Sequence, residues 1–115
     1  MKTKIITRPW GNFETFTQNT NSTIKILTIN PKKRLSLQYH NNREEFWRVL
    51  EGNAKITQGK KTISAKKGDT IFINKKQIHR IEAFNKQVKI LEIAFGKFNE
   101  NDIIRIEDDY GRIKK

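Results

Sequence analysis

The polarity pattern along the chain is that of short β-strands. Runs rich in β-branched and aromatic residues recur throughout, and turn signals such as Asn41-Asn42 and Lys67-Gly68-Asp69 separate them. Strands of this length and spacing are typical of a sandwich or barrel rather than of a βαβ fold. Only the tail after Phe98 has room for a short helical turn. The pattern predicts strands at Phe13–Gln18, Thr23–Asn30, Leu35–His40, Glu45–Leu50, Ala54–Gln58, Thr62–Ala65, Thr70–Asn74, His79–Phe84 and Val88–Phe95.

The segment Val88–Phe95 is apolar on both faces. This is expected where one face belongs to the core and another sheet or subunit covers the other. Glu92 falls on the same face as Val88, Ile90 and Ala94. A carboxylate in such a position needs a partner or a function.

Length and composition predict one domain spanning residues 1–115. The chain has no cysteine, which excludes disulfides and thiolate ligands and is compatible with a cytoplasmic protein. No apolar run has the length of a membrane span, and the start MKTKIITRPWG lacks the apolar region of a signal peptide. We therefore expect no membrane association.

The net charge of +12 raises the question of a nucleic-acid partner. The lysines, however, lie mostly as pairs at turns, and neither a basic helix nor an aromatic–basic stacking pattern is visible. We expect no nucleic-acid partner. Positive potential is suited instead to attracting phosphorylated small molecules to a cleft.

Four polar residues form a candidate metal site. Gln38 and His40 are two apart and share one face of a strand, and the turn after them leads to Glu45. If these strands pair as a hairpin, the three side chains converge, and His79 at the start of a later strand supplies a second imidazole. Such a set suits a borderline divalent ion such as Zn²⁺. The alternative is that each is an ordinary, partly buried residue at a strand end.

The spacing of these residues resembles the two motifs of the cupin family. Gln38-x-His40-x4-Glu45-x6-Gly52 follows the first motif, with glutamine in place of its first histidine, and Gly68-x10-His79 follows the second. Nearly the whole chain further resembles the type II mannose-6-phosphate isomerase, the cupin often fused behind a mannose-1-phosphate guanylyltransferase. The matching stretches are Arg8-Pro9-Trp10-Gly11, Leu35-Ser36-Leu37-Gln38-x-His40, Arg43-x-Glu45-x-Trp47, Gly68 to His79-Arg80, Leu91-Glu92-Ile93 and Asp102 to Arg112.

The resemblance implies an all-β cupin, a small double-stranded β-helix or jelly-roll barrel. It makes Gln38, His40, Glu45 and His79 the ligands of one divalent ion, with Zn²⁺ the first choice and Co²⁺, Ni²⁺ or Mn²⁺ as alternatives. The family interconverts mannose 6-phosphate and fructose 6-phosphate, which supplies GDP-mannose for polysaccharide synthesis. Small cupins often dimerise by sheet packing, so we expect a homodimer.

Catalytic roles are assigned by the same resemblance. Arg43, Arg80 and Arg112 are the candidates for holding the substrate phosphate. Arg43 and Arg112 are also candidate catalytic residues, together with Glu92 as the base that moves a proton between C1 and C2. Glu44 and a metal-bound water are the alternative bases. Arg80 directly follows His79, so on a regular strand it points to the opposite face, and Arg112 is equally compatible with a solvated tail charge.

Two departures from the family pattern bear on activity. The usual QxHHHR is Gln38-Tyr39-His40-Asn41-Asn42-Arg43 here, and asparagine cannot transfer a proton as histidine does. The usual IPxGxxH is Ile73 to His79 without its proline and glycine. Two alternatives therefore stay open: a cupin that binds a sugar or nucleotide-sugar without turning it over, and an isomerase of a different sugar phosphate.

Overall fold

The computed structural model describes residues 3–113, which form β-strands joined by turns. In chain order the strands are β1 Lys4–Arg8, β2 Gly11–Thr15, β3 Ser22–Ile29, β4 Leu37–Tyr39, β5 Glu44–Glu51, β6 Ala54–Gln58, β7 Lys61–Ala65, β8 Thr70–Ile73, β9 His79–Ala83, β10 Val88–Phe95 and β11 Ile104–Glu107. Among residues 3–113 there is no helix with the length and apolar character needed to cross a membrane.

Two antiparallel sheets make up the body of the molecule. One has the order β3-β10-β5-β8 and the other β11-β4-β9-β6-β7, while β1 and β2 form a separate hairpin. Their facing sides enclose a single apolar cluster that includes Trp47, Val49, Ile56, Ile81 and Ile90. Such an arrangement of two packed antiparallel sheets is the jelly-roll barrel. The predicted all-β fold is confirmed.

The predicted strands agree with the structure to within a few residues, and Val88–Phe95 agrees at both ends. Two strands were not predicted. β1 is the outer strand of an exposed hairpin, and β11 lies at a sheet edge, where it pairs only with β4. The predicted helical turn after Phe98 is a hydrogen-bonded turn, in which the Asp102 amide donates to the Asn99 carbonyl. The strands β1 and β11 are both short, and their apolar residues Ile5, Ile104 and Ile106 are exposed and do not belong to the core.

The strand β10 is buried on both faces, as its sequence predicts. Towards the barrel interior, Glu92 is buried together with Val88, Ile90 and Ala94. On the outer side Ile93 is buried as well, opposite Phe46 on β5. The base of the hairpin covers this side, because Phe16 packs against Phe46 with ring centroids 5.7 Å apart. A second subunit is therefore not required to bury this part of β10.

The turn at Gly52 generates a test of the packing between β5 and β10. Gly52 has φ +79°, and a Cβ there would overlap the carbonyl oxygen of Gln87. We expect Gly52→Ala to lower the free energy of unfolding by ~2–4 kcal/mol, because a left-handed backbone penalty adds to a clash with backbone. Gly68→Ala is the matched control: its φ is +92° with nothing within 4 Å of the added carbon. It is expected to lose only ~1 kcal/mol. Urea denaturation of both variants measures the difference, and equal losses would contradict it.

Candidate metal centre

His40, Glu45 and His79 converge inside the barrel. His40 follows β4, Glu45 lies near the start of β5 and His79 begins β9, and each is at most 2% exposed. One oxygen of Glu45 lies 3.3 Å from Nε2 of His79 and 3.7 Å from Nε2 of His40. One donor atom from each of the three residues lies within 4.8 Å of the other two. The structure thus brings together three of the four predicted ligands.

Backbone carbonyls fix the orientation of both imidazoles. Nδ1 of His40 lies 2.7 Å from the carbonyl oxygen of Asp102, and Nδ1 of His79 lies 2.8 Å from that of Gln77. Because a carbonyl only accepts hydrogen bonds, each Nδ1 carries the proton and each Nε2 presents a lone pair to the centre. Carbonyl-oriented imidazoles of this kind are typical of metal-binding histidines.

Burial keeps the imidazoles neutral and the carboxyl protonated. It lowers the pKa of His40, and it lowers the pKa of His79 to about 4. Burial also raises the pKa of Glu45, and the adjacent Glu92 carboxyl raises it further. Nε2 of His79 is buried without a hydrogen-bond partner among the described residues. Two imidazole nitrogens and a carboxyl oxygen within 4.8 Å of one another form a set of ligand atoms that suits a divalent cation.

Gln38 lies beside the three ligands. Its Cα is paired with that of His79 across β4 and β9, so both side chains face the same way. Its amide oxygen accepts a hydrogen bond of 2.6 Å from the hydroxyl of buried Ser36. The fourth-ligand role of Gln38 stays a prediction.

Arg43 is the cation nearest the centre. Its Nη2 lies 3.1 Å from Nε2 of His40, its Nε lies 3.7 Å from a Glu45 oxygen, and the residue is only 8% exposed. The ring of Phe98 supports the guanidinium at 4.4 Å. Arg43 is therefore held directly against two of the candidate ligands.

The other predicted residues lie at different distances from the centre. Glu92 is 6% exposed and its carboxyl contacts that of Glu45. Arg80 points to the opposite face of β9 from His79, where it bonds the Leu35 carbonyl and Glu107. Arg112 binds Asp108 through both Nε and Nη2 at the surface. The structure brings Glu92 to the three ligands and does not bring Arg80 or Arg112 into contact with them.

Asp102 is a supporting residue that sequence reasoning missed. Besides its carbonyl contact with His40, its carboxylate accepts hydrogen bonds from the amides of Asn41 and Asn42, each of 2.9 Å. Burial alone would raise the pKa of this carboxyl, but the two amides bring it below its usual range. Asp102 thereby fixes the turn that links His40 to Arg43. The side chains of both asparagines are exposed at the rim.

The fold and the His–Glu–His centre define a cupin. A crystal structure from Klebsiella pneumoniae, described as an uncharacterized conserved protein with a double-stranded beta-helix domain, matches with a TM-score of 0.66. It covers 80% of each chain at 17% identity, which supports the fold alone.

The family model "Mannose-6-phosphate isomerase C-terminal" matches residues 1–108, and the chain belongs to that family. Among its relatives, the alginate biosynthesis protein AlgA of Pseudomonas aeruginosa is 36% identical over 91% of this chain. The mannose-1-phosphate guanylyltransferase RfbM of Salmonella typhimurium is 33% identical over 94% of it. The chain spans only 22% and 23% of the length of these two proteins.

The protonation of Glu45 predicts pH-dependent metal binding. A metal ion needs the carboxylate, so in neutral solution its binding must displace the proton that the raised pKa of Glu45 retains. His79, with a pKa of about 4, is already neutral above pH 5 and adds no further dependence there. We expect the apparent affinity for Co²⁺ to rise by up to ~10-fold per pH unit from pH 6 to 8.

Titration calorimetry in buffers of different ionisation enthalpy measures this proton release. The matched variant Glu45→Gln has no proton to lose, so its weaker binding should be nearly independent of pH. Equal pH dependence in the two proteins would contradict the assignment.

Proposed function

We propose that this domain is a metal-dependent isomerase that interconverts mannose 6-phosphate and fructose 6-phosphate and so supplies GDP-mannose for polysaccharide synthesis. The observation that carries the proposal is the buried His40–Glu45–His79 centre with Arg43 and Glu92 in contact with it. Membership of the mannose-6-phosphate isomerase C-terminal family supports it. We propose Zn²⁺ as the metal, held by these three residues and Gln38.

The reaction moves one proton between C1 and C2 of an open-chain sugar through an ene-diol(ate). A bound divalent cation supplies polarisation of the carbonyl and stabilises the negative charge that develops on its oxygen. Arg43 adds a fixed positive charge and hydrogen-bond donors beside the same position, and Phe98 holds its guanidinium in place. Arg43 is thus placed to act on the same developing charge that a bound cation would stabilise.

Glu92 is the base that the geometry favours. It is buried on the interior face of β10, and its carboxyl contacts that of Glu45 at the centre. Glu44 precedes Glu45 on β5, so its side chain faces away from the centre. Asn41 and Asn42 lie exposed at the rim, outside this cluster of buried groups. Replacement of the family's outer histidines therefore leaves the inner centre complete.

The proposal is tested by a coupled assay of fructose 6-phosphate formation from mannose 6-phosphate by the metal-loaded protein. We expect turnover in the wild type and its loss in His40→Ala, since this ligand and its contact with Arg43 disappear. Stoichiometric metal and tight sugar-phosphate binding without turnover would overturn the proposal in favour of a binding cupin. Turnover of another sugar phosphate in its place would identify a different isomerase.

The identity of the base is tested by two matched substitutions. Glu92→Gln should lower kcat by ~10²–10⁴-fold, because an amide cannot accept the proton. Glu44→Gln removes the same charge from the outer face of the same sheet and should leave kcat within about twofold of wild type. Metal content, measured by elemental analysis, should be equal in both variants. A loss of kcat in Glu44→Gln alone would assign the base to Glu44.

We also propose that the protein is a homodimer. On the outer face of β3, Ile24 is 59% exposed and Ile26 is 60% exposed. At the tip of the β1–β2 hairpin, Trp10 is 72% exposed. Exposed large apolar side chains such as the neighbouring pair Ile24 and Ile26 on one strand face are typical of interaction surfaces. Light scattering after gel filtration should report twice the mass of one chain, and Ile26→Lys should shift the mass towards one chain. A monomeric wild type would overturn the proposal.

A further inference from the structure

The guanidinium of Arg105 differs in its hydrogen bonding from those of the other described arginines. Within residues 3–113, every other arginine makes at least one side-chain hydrogen bond to the protein, namely Arg8, Arg34, Arg43, Arg48, Arg80 and Arg112. Arg105 makes none among the described residues, and its Nε is buried. A buried donor left without a partner costs free energy, so it points to a ligand that completes it.

The register of the sheet directs Arg105 towards the metal centre. Arg105 on β11 is paired with Gln38 on β4, and Gln38 is paired with His79 on β9. Directly paired residues share a face, so the three side chains form one row on the interior face of this sheet. Neighbouring strands lie about 4.8 Å apart, which separates Arg105 from His79 by ~10 Å at the backbone.

Arg105 also lines a surface cleft of about 500 Å³, together with Asn101, Ile103, Ile104, Arg112 and Glu100. Arg112 adds a second guanidinium to the wall, although Asp108 engages its Nε and Nη2. The one carboxylate of the lining, on Glu100, is neutralised by Lys25 at 3.3 Å. The cleft is therefore open to solvent and positively charged, and it shares Arg105 with the row that contains Gln38 and His79.

We propose that Arg105 binds the phosphate of a hexose 6-phosphate whose carbonyl end lies at the metal centre, with Arg112 beside it. This inference rests on the proposed function and adds a residue that the sequence did not single out. The length of this ligand matches the distance between the metal centre and Arg105. Six bonds separate C2 of the open-chain sugar from the phosphorus, which corresponds to ~7 Å for an extended chain. The fork of a guanidinium matches the oxygens of a phosphate dianion. Arg80 lies on the opposite face of β9, where it contacts Leu35 and Glu107, and we assign it no part in binding this phosphate.

The test compares Arg105→Met with Lys55→Met, which removes one positive charge from an exposed position on β6. Mannitol 6-phosphate, a probe that has no carbonyl to isomerise, is titrated into each metal-loaded protein. We expect its dissociation constant to rise by about 10- to 100-fold in Arg105→Met and to stay within about twofold in Lys55→Met. Arg105→Lys should fall between them, because it keeps the charge and loses the fork.

Unphosphorylated mannitol and inorganic phosphate identify what Arg105 recognises. Mannitol binding should be unchanged by Arg105→Met, and an equal loss for mannitol would overturn the phosphate assignment. Inorganic phosphate should bind more weakly than mannitol 6-phosphate. If it binds equally well, free phosphate is the occupant and the sugar-phosphate assignment is overturned.

Thermal unfolding separates a ligand role from a structural one. Because no residue within 3–113 hydrogen-bonds to its guanidinium, Arg105→Met should unfold within about 2 °C of wild type. A fall of many degrees accompanied by lost binding would mean that Arg105 is structural. If the wild type lacks isomerase activity but binds mannitol 6-phosphate through Arg105, the proposed function fails and this inference stands. If the isomerase is active and Arg105→Met matches Lys55→Met in KM, this inference alone fails.

Discussion

The structure depends on one electrostatic constraint at its centre. Nε2 of His79, Nε2 of His40 and the Glu45 carboxyl face one another within the barrel, and none of the three residues is more than 2% exposed. Burying two imidazole nitrogens and a carboxyl group in such a space costs free energy unless a proton, the Arg43 guanidinium or a metal cation lies against them. The carbonyls of Asp102 and Gln77 reinforce this arrangement, since they fix which ring nitrogens face the centre.

The barrel provides the rigidity that this centre needs. The ligands come from the ends of β4, β5 and β9, so the antiparallel ladders of two sheets hold their backbones. Trp47 packs edge-on against the His79 ring with centroids 5.4 Å apart and closes the apolar side of the centre. Arg43 and Glu92 form the polar side of the centre. Residues of β11 line the surface cleft described above. A hydrophobic floor and a charged entrance are the usual composition of a site for a small polar ligand.

Much of this centre was predictable from local sequence rules. Alternation along a strand places positions 38 and 40 on one face, and the Asn41-Asn42 turn returns the chain to Glu45. The same rule predicts that Arg80 faces away from His79, which the structure shows. It also predicts the burial of Glu92 on an apolar face of β10.

The contacts that were missed are those made by the tail of the described chain. Asp102 reaches His40 across 62 positions of sequence, and no local pattern reports such a contact. β11 is only four residues long and leaves Ile104 and Ile106 exposed while Arg105 is half-buried, the reverse of the usual alternation, so neither the strand nor the direction of Arg105 was predicted. Register between distant strands is a tertiary property, and only the fold reveals that Arg105, Gln38 and His79 share one row.

The most direct test of the account is crystallographic. Crystals grown with Co²⁺ should be measured on both sides of the cobalt absorption edge. We expect one strong anomalous peak between Nε2 of His40, Nε2 of His79 and the carboxylate of Glu45, at about 2.0–2.2 Å from each. The absence of a peak at this position, in crystals that show cobalt bound elsewhere, would contradict the account.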